Sequence, residues 1–430
     1  MTATKIDNLE RRVRFFDLTG VIEIPPSDSP ISSEDQGADA VAVIVNHLCR
    51  LLPGLGVRVL LFEVEHRRGG KPDTPTGYRV IRIRLPSFLI RKKGLSSGAG
   101  EFRASRGSNF RVSREGVVQL VFSALLVPQY ISISVAQGYN VVHVHSNYQV
   151  LLFRILKFVF HQRIMIIYST HNHAVMPAEG SIPSGRGMAV EKVALSIADG
   201  VIVPTESVLE KVTGSFGVNP NKVVAIPAGI DLKDQPMRPV QVKFAFPRIL
   251  CVGRIQKRKN QLVLVKAIEK LRADGFNLAL DLVGPIEEKA YFSSVQLYWT
   301  SRKLNVNYMG EVSSNTLDHL YSTSTLFAFP SLQETQGLVV LEAMAHGLPV
   351  VASNIGPVSD IIAPLPGAAI LVTPDDPTLV ANALEQLLSS QSLYNRMSED
   401  ALKLALFYDW KRIAAMYVDS LQRFLERHDK

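Results

Sequence analysis

Short apolar runs of strand length alternate with longer runs of helical spacing along most of the chain. In the first half the strand-like runs are VRVLLFEV (57–64), VIRIRL (80–85), NVVHVHS (140–146), RIMIIYST (163–170), GVIVPT (200–205) and KVVAIPAG (222–229). DAVAVIVNHLCRLL (39–52) and YQVLLFRILKFVF (148–160) are longer and read as helices. The second half repeats the theme. RILCVGR (248–254), LALDLVG (278–284), VNYMG (306–310), LFAFPS (326–331), PVVAS (349–353) and AAILV (368–372) read as strands. Helical runs lie between them, at 260–275, 316–324, 337–347 and 378–390. Alternation of this kind requires crossover connections, which are right-handed and build parallel sheets.

The predicted class is therefore α/β, with two doubly wound domains. A chain of 430 residues is too long for one hydrophobic core. The polar, proline-punctuated stretch 231–247 reads as the junction. The expected division is residues 1–235, 236–405, and a closing amphipathic helix over 406–430. In open parallel sheets ligands bind beyond the carboxyl ends of the strands, so two such sheets place a site in the cleft between them.

Composition narrows the class. Hydrophobic residues make up 47% and charged residues 20%, the balance of a globular enzyme rather than a disordered chain. Cys49 and Cys251, both in apolar segments, make no disulfide framework and read as buried thiols of a reducing compartment. The stretch MTATKIDNLERRVRFFDLTG has no apolar core of signal-peptide length, which predicts a cytoplasmic protein. Residues 116–153 hold no Asp, Glu, Lys or Arg, but Pro128, Gly138 and several polar residues interrupt them. A buried helix followed by a buried strand fits that stretch better than a membrane span.

Net charge is +8, and residues 51–150, with 14 Lys and Arg against 5 Asp and Glu, carry the whole excess. Cations interleaved with apolar residues suit an anionic surface, either a membrane leaflet or a polyanionic acceptor. A solvated basic loop accounts for them equally well. No nucleic-acid reading motif accompanies them, so nucleic acid is not an expected partner.

The chemistry concentrates in ETQGLVVLEAMAHGLPVV (334–351). A strand ending at Pro330 leads to a loop with Glu334. A helix then begins near Gly337, holds Glu342 in its second turn and stops at Gly347 before Pro349. The first turn of such a helix offers unpaired N–H groups and a partial positive charge, and Gly337 allows an anion to approach closely. Carboxylates on either side suit hydroxyl-rich rings instead. The combination describes a nucleoside diphosphate sugar; incidental or solvated glutamates are the plain alternative. RILCVGRIQKRKNQ (248–261) adds Arg254 directly after Gly253 at a strand end, and Lys259 five positions on. A guanidinium and an ammonium at a cleft mouth suit a diphosphate leaving group. Lys257 and Arg258 are expected to be solvated. HVH (143–145) and HNH (171–173) place histidine pairs on strand faces, but no Cys or carboxylate cluster joins them, so no metal site is predicted.

These residues resemble the retaining glycosyltransferases of family 4, with the GT-B fold. That family carries a Glu-x7-Glu motif within E-x-x-G-L-x-x-L-E-A-M-A-x-G-x-P-V-V, which residues 334–351 match almost throughout. GRIQKRKN keeps the Gly253, Arg254 and Lys259 of the family's G-R-x4-K-G; VVAIPAGID resembles V-I-P-N-G-V-D, and FYDWKRIAAMY resembles the closing helix. The resemblance implies two Rossmann-like domains facing across a cleft, with the last helix crossing back to the first domain. It implies that Glu334 binds donor-sugar hydroxyls, Glu342 the ribose diol, and Arg254 and Lys259 the diphosphate with amides near Gly337 and Leu338. The loop at Gly310 would line the nucleobase. His171 would face the transferred sugar, with His145 at the matching H-x-H strand end. Gly37 would take the place of the family's Gly-Gly loop at the donor phosphates and acceptor. Four positions depart from the pattern: Asn260 stands for the last glycine of G-R-x4-K-G, Ala228 for Asn, Gln336 for an aromatic, and Ala38 follows Gly37. The implied reaction moves a sugar from a UDP- or GDP-sugar to a hydroxyl acceptor, a glycan or lipid-linked sugar, with retention. It uses no metal or organic cofactor. The basic segment predicts a peripheral place at the inner face of the cell membrane. A nucleotide-sugar epimerase of the same fold and a transferase-like binding subunit remain open.

Overall fold

The computed structural model describes residues 17–21, 40–65, 79–84, 141–159, 164–171, 175–176, 185–232 and 246–428. Gly37, His173 and most of the basic segment lie outside the described residues.

The first half comprises β1 (Asp17–Val21), α1 (Ala40–Leu51), β2 (Arg58–Glu65), β3 (Arg79–Arg84), β4 (Val141–Val144), α2 (Asn147–Val159), β5 (Met165–Ser169), α3 (Gly185–Ile197), β6 (Gly200–Val203), α4 (Glu206–Gly214) and β7 (Val223–Ala225). Its strands form one parallel sheet in the order β3-β2-β1-β4-β5-β6-β7. β1, whose sequence is DLTGV, has no counterpart among the expected strands. Only Leu18 and Val21 are strongly apolar in it. Its strand character comes from ladders to β2 and β4 on both sides, with Leu18 opposite Val59 and Val141.

The second half comprises β8 (Arg248–Val252), α5 (Gln261–Ala273), β9 (Ala279–Val283), α6 (Lys289–Ser301), β10 (Val306–Gly310), α7 (Ser314–Thr323), β11 (Leu326–Phe329), α8 (Leu338–Ala345), β12 (Val350–Ser353), α9 (Gly356–Ile362), β13 (Ala369–Val372), α10 (Pro377–Leu388) and α11 (Gln391–Ala405). The strand order is β10-β9-β8-β11-β12-β13, again all parallel. Every second-half strand expected from the apolar runs is present. α6 was not expected: it buries only Val295 and Trp299, too few positions for a visible helical stripe.

Both sheets reverse their winding direction, between β1 and β4 in one and between β8 and β11 in the other. Crevices open at such switch points, and this one sets the loops after β8 and β11 side by side. The last helix, α12 (Trp410–His428), returns to the first half. Its Trp410, Ile413, Tyr417 and Leu421 pack with Ile44, Val45 and Leu48 of α1 in one core. The two strands of chain that cross between the halves bind each other, Ile230 N–H donating to the Tyr408 carbonyl at 2.8 Å. Trp410 packs so closely on the outgoing strand that a Cβ at Gly229 would lie 2.7 Å from its ring. Together these describe a GT-B architecture.

Cys49 and Cys251 are buried in different cores. Among the described residues no helix is long and apolar enough to cross a membrane.

Candidate active site

The site grows from the ends of β8, β9 and β11. Gly253 and Gly284, which end β8 and β9, touch backbone to backbone: a Cβ on Gly284 would sit 2.3 Å from the Gly253 carbonyl oxygen, and its φ is +133°. That close approach admits only glycine and brings the two strand ends together at the cleft. Past Gly253 the chain presents Arg254, whose Nη1 donates to Glu287 Oε2 at 3.1 Å from an exposed side chain. A short turn then places Lys259, whose ammonium pairs with Glu334 Oε1 and lies 4.9 Å above the Phe329 ring.

Glu334 is 5% exposed. Its Oε1 also accepts the Ser331 hydroxyl at 2.7 Å. Burial pushes its pKa up, but Lys259, Ser331 and Arg258 together hold it below the usual glutamate value, so it is a carboxylate near neutral pH. Arg258 is not solvated as expected. Its Nη1 donates to the Gln333 carbonyl at 3.1 Å and lies 3.9 Å from Glu334, so it braces the loop. Lys257 is exposed.

Gly337, with φ +96°, is the entry to α8, and Gly347, with φ +73°, follows its end. The leading amides of α8 face the same loop that carries Glu334. One turn in, Glu342 Oε2 accepts the Tyr321 hydroxyl at 2.9 Å. Burial raises the Glu342 pKa, the Tyr321 hydrogen bond opposes the rise, and Asp318 adds to it. His346 locks the same turn, its Nδ1 2.8 Å from the Glu342 carbonyl and its Nε2 3.4 Å from Asp318 Oδ1. Gly310 ends β10 with φ +68°, and its carbonyl accepts Gly284 N–H at 2.7 Å, so it rims the same strand-end cluster.

Across the cleft, β4 and β5 end in histidines. His145 Nδ1 lies 3.2 Å from His171 Nε2. Deeper, His143 Nε2 lies 2.7 Å from Ser169 Oγ and 3.1 Å from the Tyr417 hydroxyl of α12. Burial, with His171 nearby, pushes His143 down to about 3, and burial with both neighbouring histidines lowers His145 well below its ordinary value. Below them Glu191, fully buried on α3, accepts Thr170 Oγ1 at 2.7 Å, the Tyr168 hydroxyl at 2.9 Å and Asn147 Nδ2 at 3.1 Å. It fixes the strand end that delivers His171. Among the described residues no cluster of three His, Cys, Asp or Glu side chains could hold a metal ion.

The structure thus unites Lys259 with Glu334, sets Glu342 one helical turn inside α8 and puts Gly310 on the adjoining rim. Arg254 stays at the outer edge, engaged with Glu287. His171 shares one small recess with Ala228 and Gln336, which joins the two halves. Asp231, at the junction between the halves, meets His47 Nε2 at 3.3 Å, and His47 stacks on Trp410 at 4.6 Å. Ser331, Tyr321, Gln333 and Glu191 were not singled out from the sequence. Ser331 and Gln333, three residues and one residue before Glu334, are the two that proximity in the chain could have flagged.

Two family models cover the chain, Glycosyltransferase Family 4 over residues 41–234 and Glycosyl transferases group 1 over residues 238–404. The chain belongs to glycosyltransferase family 4. Among curated members, a D-inositol 3-phosphate glycosyltransferase of Nocardioides sp. is 26% identical over 60% of this chain and 62% of its own length. One of the same name from Frankia alni is 24% identical over 90% of this chain and 95% of its own. For most such relatives the match spans about three fifths of their length. Solved structures share the family's fold. Sucrose-phosphate synthase from Thermosynechococcus elongatus superposes with a TM-score of 0.71 at 20% identity, over 96% of this chain and 100% of that one. Anabaena HepE in complex with UDP-glucose gives 0.65 at 16% identity, over 94% and 99%.

Proposed function

We propose that this chain transfers a hexose from a nucleoside diphosphate sugar, UDP- or GDP-linked, to a hydroxyl acceptor with retention at the anomeric carbon. The observation that carries this reading is the buried Lys259–Glu334 pair beside the entry to α8. A carboxylate kept ionised in a dry site accepts sugar hydroxyls well, and an ammonium at its side meets the adjacent phosphate. A fold neighbour holding UDP-glucose supports the donor class, and relatives named D-inositol 3-phosphate glycosyltransferase support sugar transfer.

In this reading the first-turn amides at Gly337 and Leu338, with Lys259 and Arg254, hold the diphosphate. Glu342 takes the ribose diol, Gly310 borders the base, Glu334 takes sugar hydroxyls and His171 faces the sugar from the other half. The departing phosphate oxygen accepts the acceptor's proton while the sugar passes to the same face. Catalysis is then mostly positioning and stabilisation of the leaving phosphate. Glu334 is committed to binding, so the two-carboxylate hydrolase scheme does not apply. No metal or organic cofactor takes part. The acceptor is a glycan or lipid-linked sugar, met at the Gly37 loop, and the basic segment 51–150 rests on the anionic inner leaflet of the cell membrane.

A thermal-shift panel of nucleoside diphosphates and their sugars identifies the donor, and NMR of the product reports its anomer. An inverted product refutes retention. Isomerisation of the donor with no acceptor present would make the protein an epimerase. Failure to co-sediment with anionic vesicles at low salt removes the membrane from the reading.

A further inference from the structure

Two positions that depart from the family pattern, Ala228 and Gln336, meet each other in space. Ala228 follows β7 in the first half; Gln336 precedes α8 in the second. The Ala228 N–H donates to Gln336 Oε1 and Gln336 Nε2 donates to the Ala228 carbonyl, each at 2.9 Å. Both residues are 5% exposed. A carboxamide that meets both main-chain polar groups of one residue is satisfied at one distance and one tilt only, so the pair fixes orientation as well as separation. An apolar side chain at 336 would leave that buried N–H and carbonyl unmet.

A second tie sits three residues upstream, where Gln333 Nε2 donates to the Met176 carbonyl at 2.6 Å. Glu334 lies between the two ties. Both engage main-chain groups of the first half, so they sense where its backbone stands, whatever its side chains. Gln336 is followed at once by Gly337 at φ +96°, from which α8 starts, so no slack separates the tie from the helix end. A further contact between the halves, Ser207 N–H to Asp360 Oδ2 at 2.7 Å, lies on α9 and leaves this loop untouched.

We propose that Gln336 is a positioning residue that couples the relative placement of the two halves to the anion-binding end of α8, with Gln333 as a weaker second tie. This rests on the reading that α8 receives the donor phosphates. When the halves separate, the Gln336 carboxamide loses both partners and the 333–337 loop loses its support. Conversely, an anion seated on the first turn steadies the loop that presents Gln336, and the coupling is reciprocal.

The test uses the full chain and Gln336→Met, which keeps the side-chain length and cannot pair. Small-angle scattering gives the radius of gyration, and calorimetry gives the affinity for UDP and for GDP. The expected variant has a larger radius without nucleotide, an affinity about tenfold weaker for whichever nucleotide the wild type binds, and a radius difference that narrows at saturation. Gln333→Ala moves both readouts the same way by less. Radius and affinity unchanged in Gln336→Met overturn the proposal. So does a variant that loses only thermal stability, since Gln336 is then merely structural. If Gln336→Met does not fold, Gln333→Ala decides on the same readouts. If neither nucleotide binds the wild type, the donor reading fails, and the radius alone decides the coupling.

Discussion

Lys259 and Glu334 form an ion pair in which the carboxylate is 5% exposed and shares its Oε1 with the Ser331 hydroxyl. Seventy-five residues separate them in the chain. Each satisfies the other, and Arg258 Nη1 lies 3.9 Å from the same carboxylate oxygen.

Loss of either member should remove turnover. Lys259→Ala and Glu334→Ala are each expected to lower the rate by about 100-fold or more, the scale of one electrostatic contact to a leaving group. Stability should behave differently. Lys259→Ala leaves a buried carboxylate without its ammonium and lowers stability by about 3 kcal/mol. The double variant Lys259→Ala, Glu334→Leu removes that charge and should be more stable than Lys259→Ala while equally inactive. Chemical denaturation and donor turnover on the same samples check both halves of the statement.

Tyr321 should set the acid limb of nucleotide binding. Its hydroxyl donates to Glu342 Oε2 and holds down a pKa that burial raises. A protonated Glu342 accepts the ribose diol poorly. Affinity is therefore expected to fall as pH drops through a value above the ordinary glutamate one. In Tyr321→Phe the opposing hydrogen bond is gone, so the limb moves to higher pH, and binding at pH 8 weakens by less than binding at pH 6. Calorimetric titration with UDP or GDP at both pH values measures the shift; an unmoved limb would show that Tyr321 does not act through Glu342.

His143 should make the first half sensitive to acid. Its folded pKa is lowered from 6.5 to about 3, so below 6.5 the unfolded chain binds a proton that the folded one does not. The stability present above pH 6.5 is then lost as pH falls toward 3, by about 1.4 kcal/mol per pH unit at most. His143→Gln removes the titrating group, and its stability should depend less steeply on pH over that window. Denaturation midpoints from pH 7 to 4.5 give the two slopes directly.

Gly284→Ala should damage the nucleotide side of the cleft from beneath. A Cβ there meets the Gly253 carbonyl at 2.3 Å, at a φ that disfavours any side chain. About 3 kcal/mol of stability is expected to go with it, together with nucleotide binding, because the ends of β8 and β9 must part. A variant as stable as wild type would mean that the two strand ends are not packed as described.

Much of this protein was legible in its residue order, and the reason is local. A parallel strand buried on both faces is apolar at most of its positions, so β4, β5, β8, β9, β11 and β12 announce themselves despite buried polar residues such as His143 and Asp281. α8 is bounded by glycines that its start and stop require, which placed Glu342 in its second turn before any packing was known. β1 and α6 escaped, because DLTGV is defined by its neighbours' ladders and KAYFSSVQLYWTS by two buried positions.

The partners of the charged and polar groups were decided by tertiary structure alone. Residue types at 254 and 259 point to a diphosphate, but only the order β8-β11 in the sheet puts Lys259 on Glu334 and leaves Arg254 at the rim with Glu287. Arg258 looked like a solvated cation and is a brace for the loop. Ala228 and Gln336 look like two unrelated departures until the halves fold together and each supplies what the other lacks. Periodicity reports how a residue relates to its own helix or strand; which distant group meets it is set by sheet order and by how the halves are placed, and those emerge only when the whole chain has closed its cores.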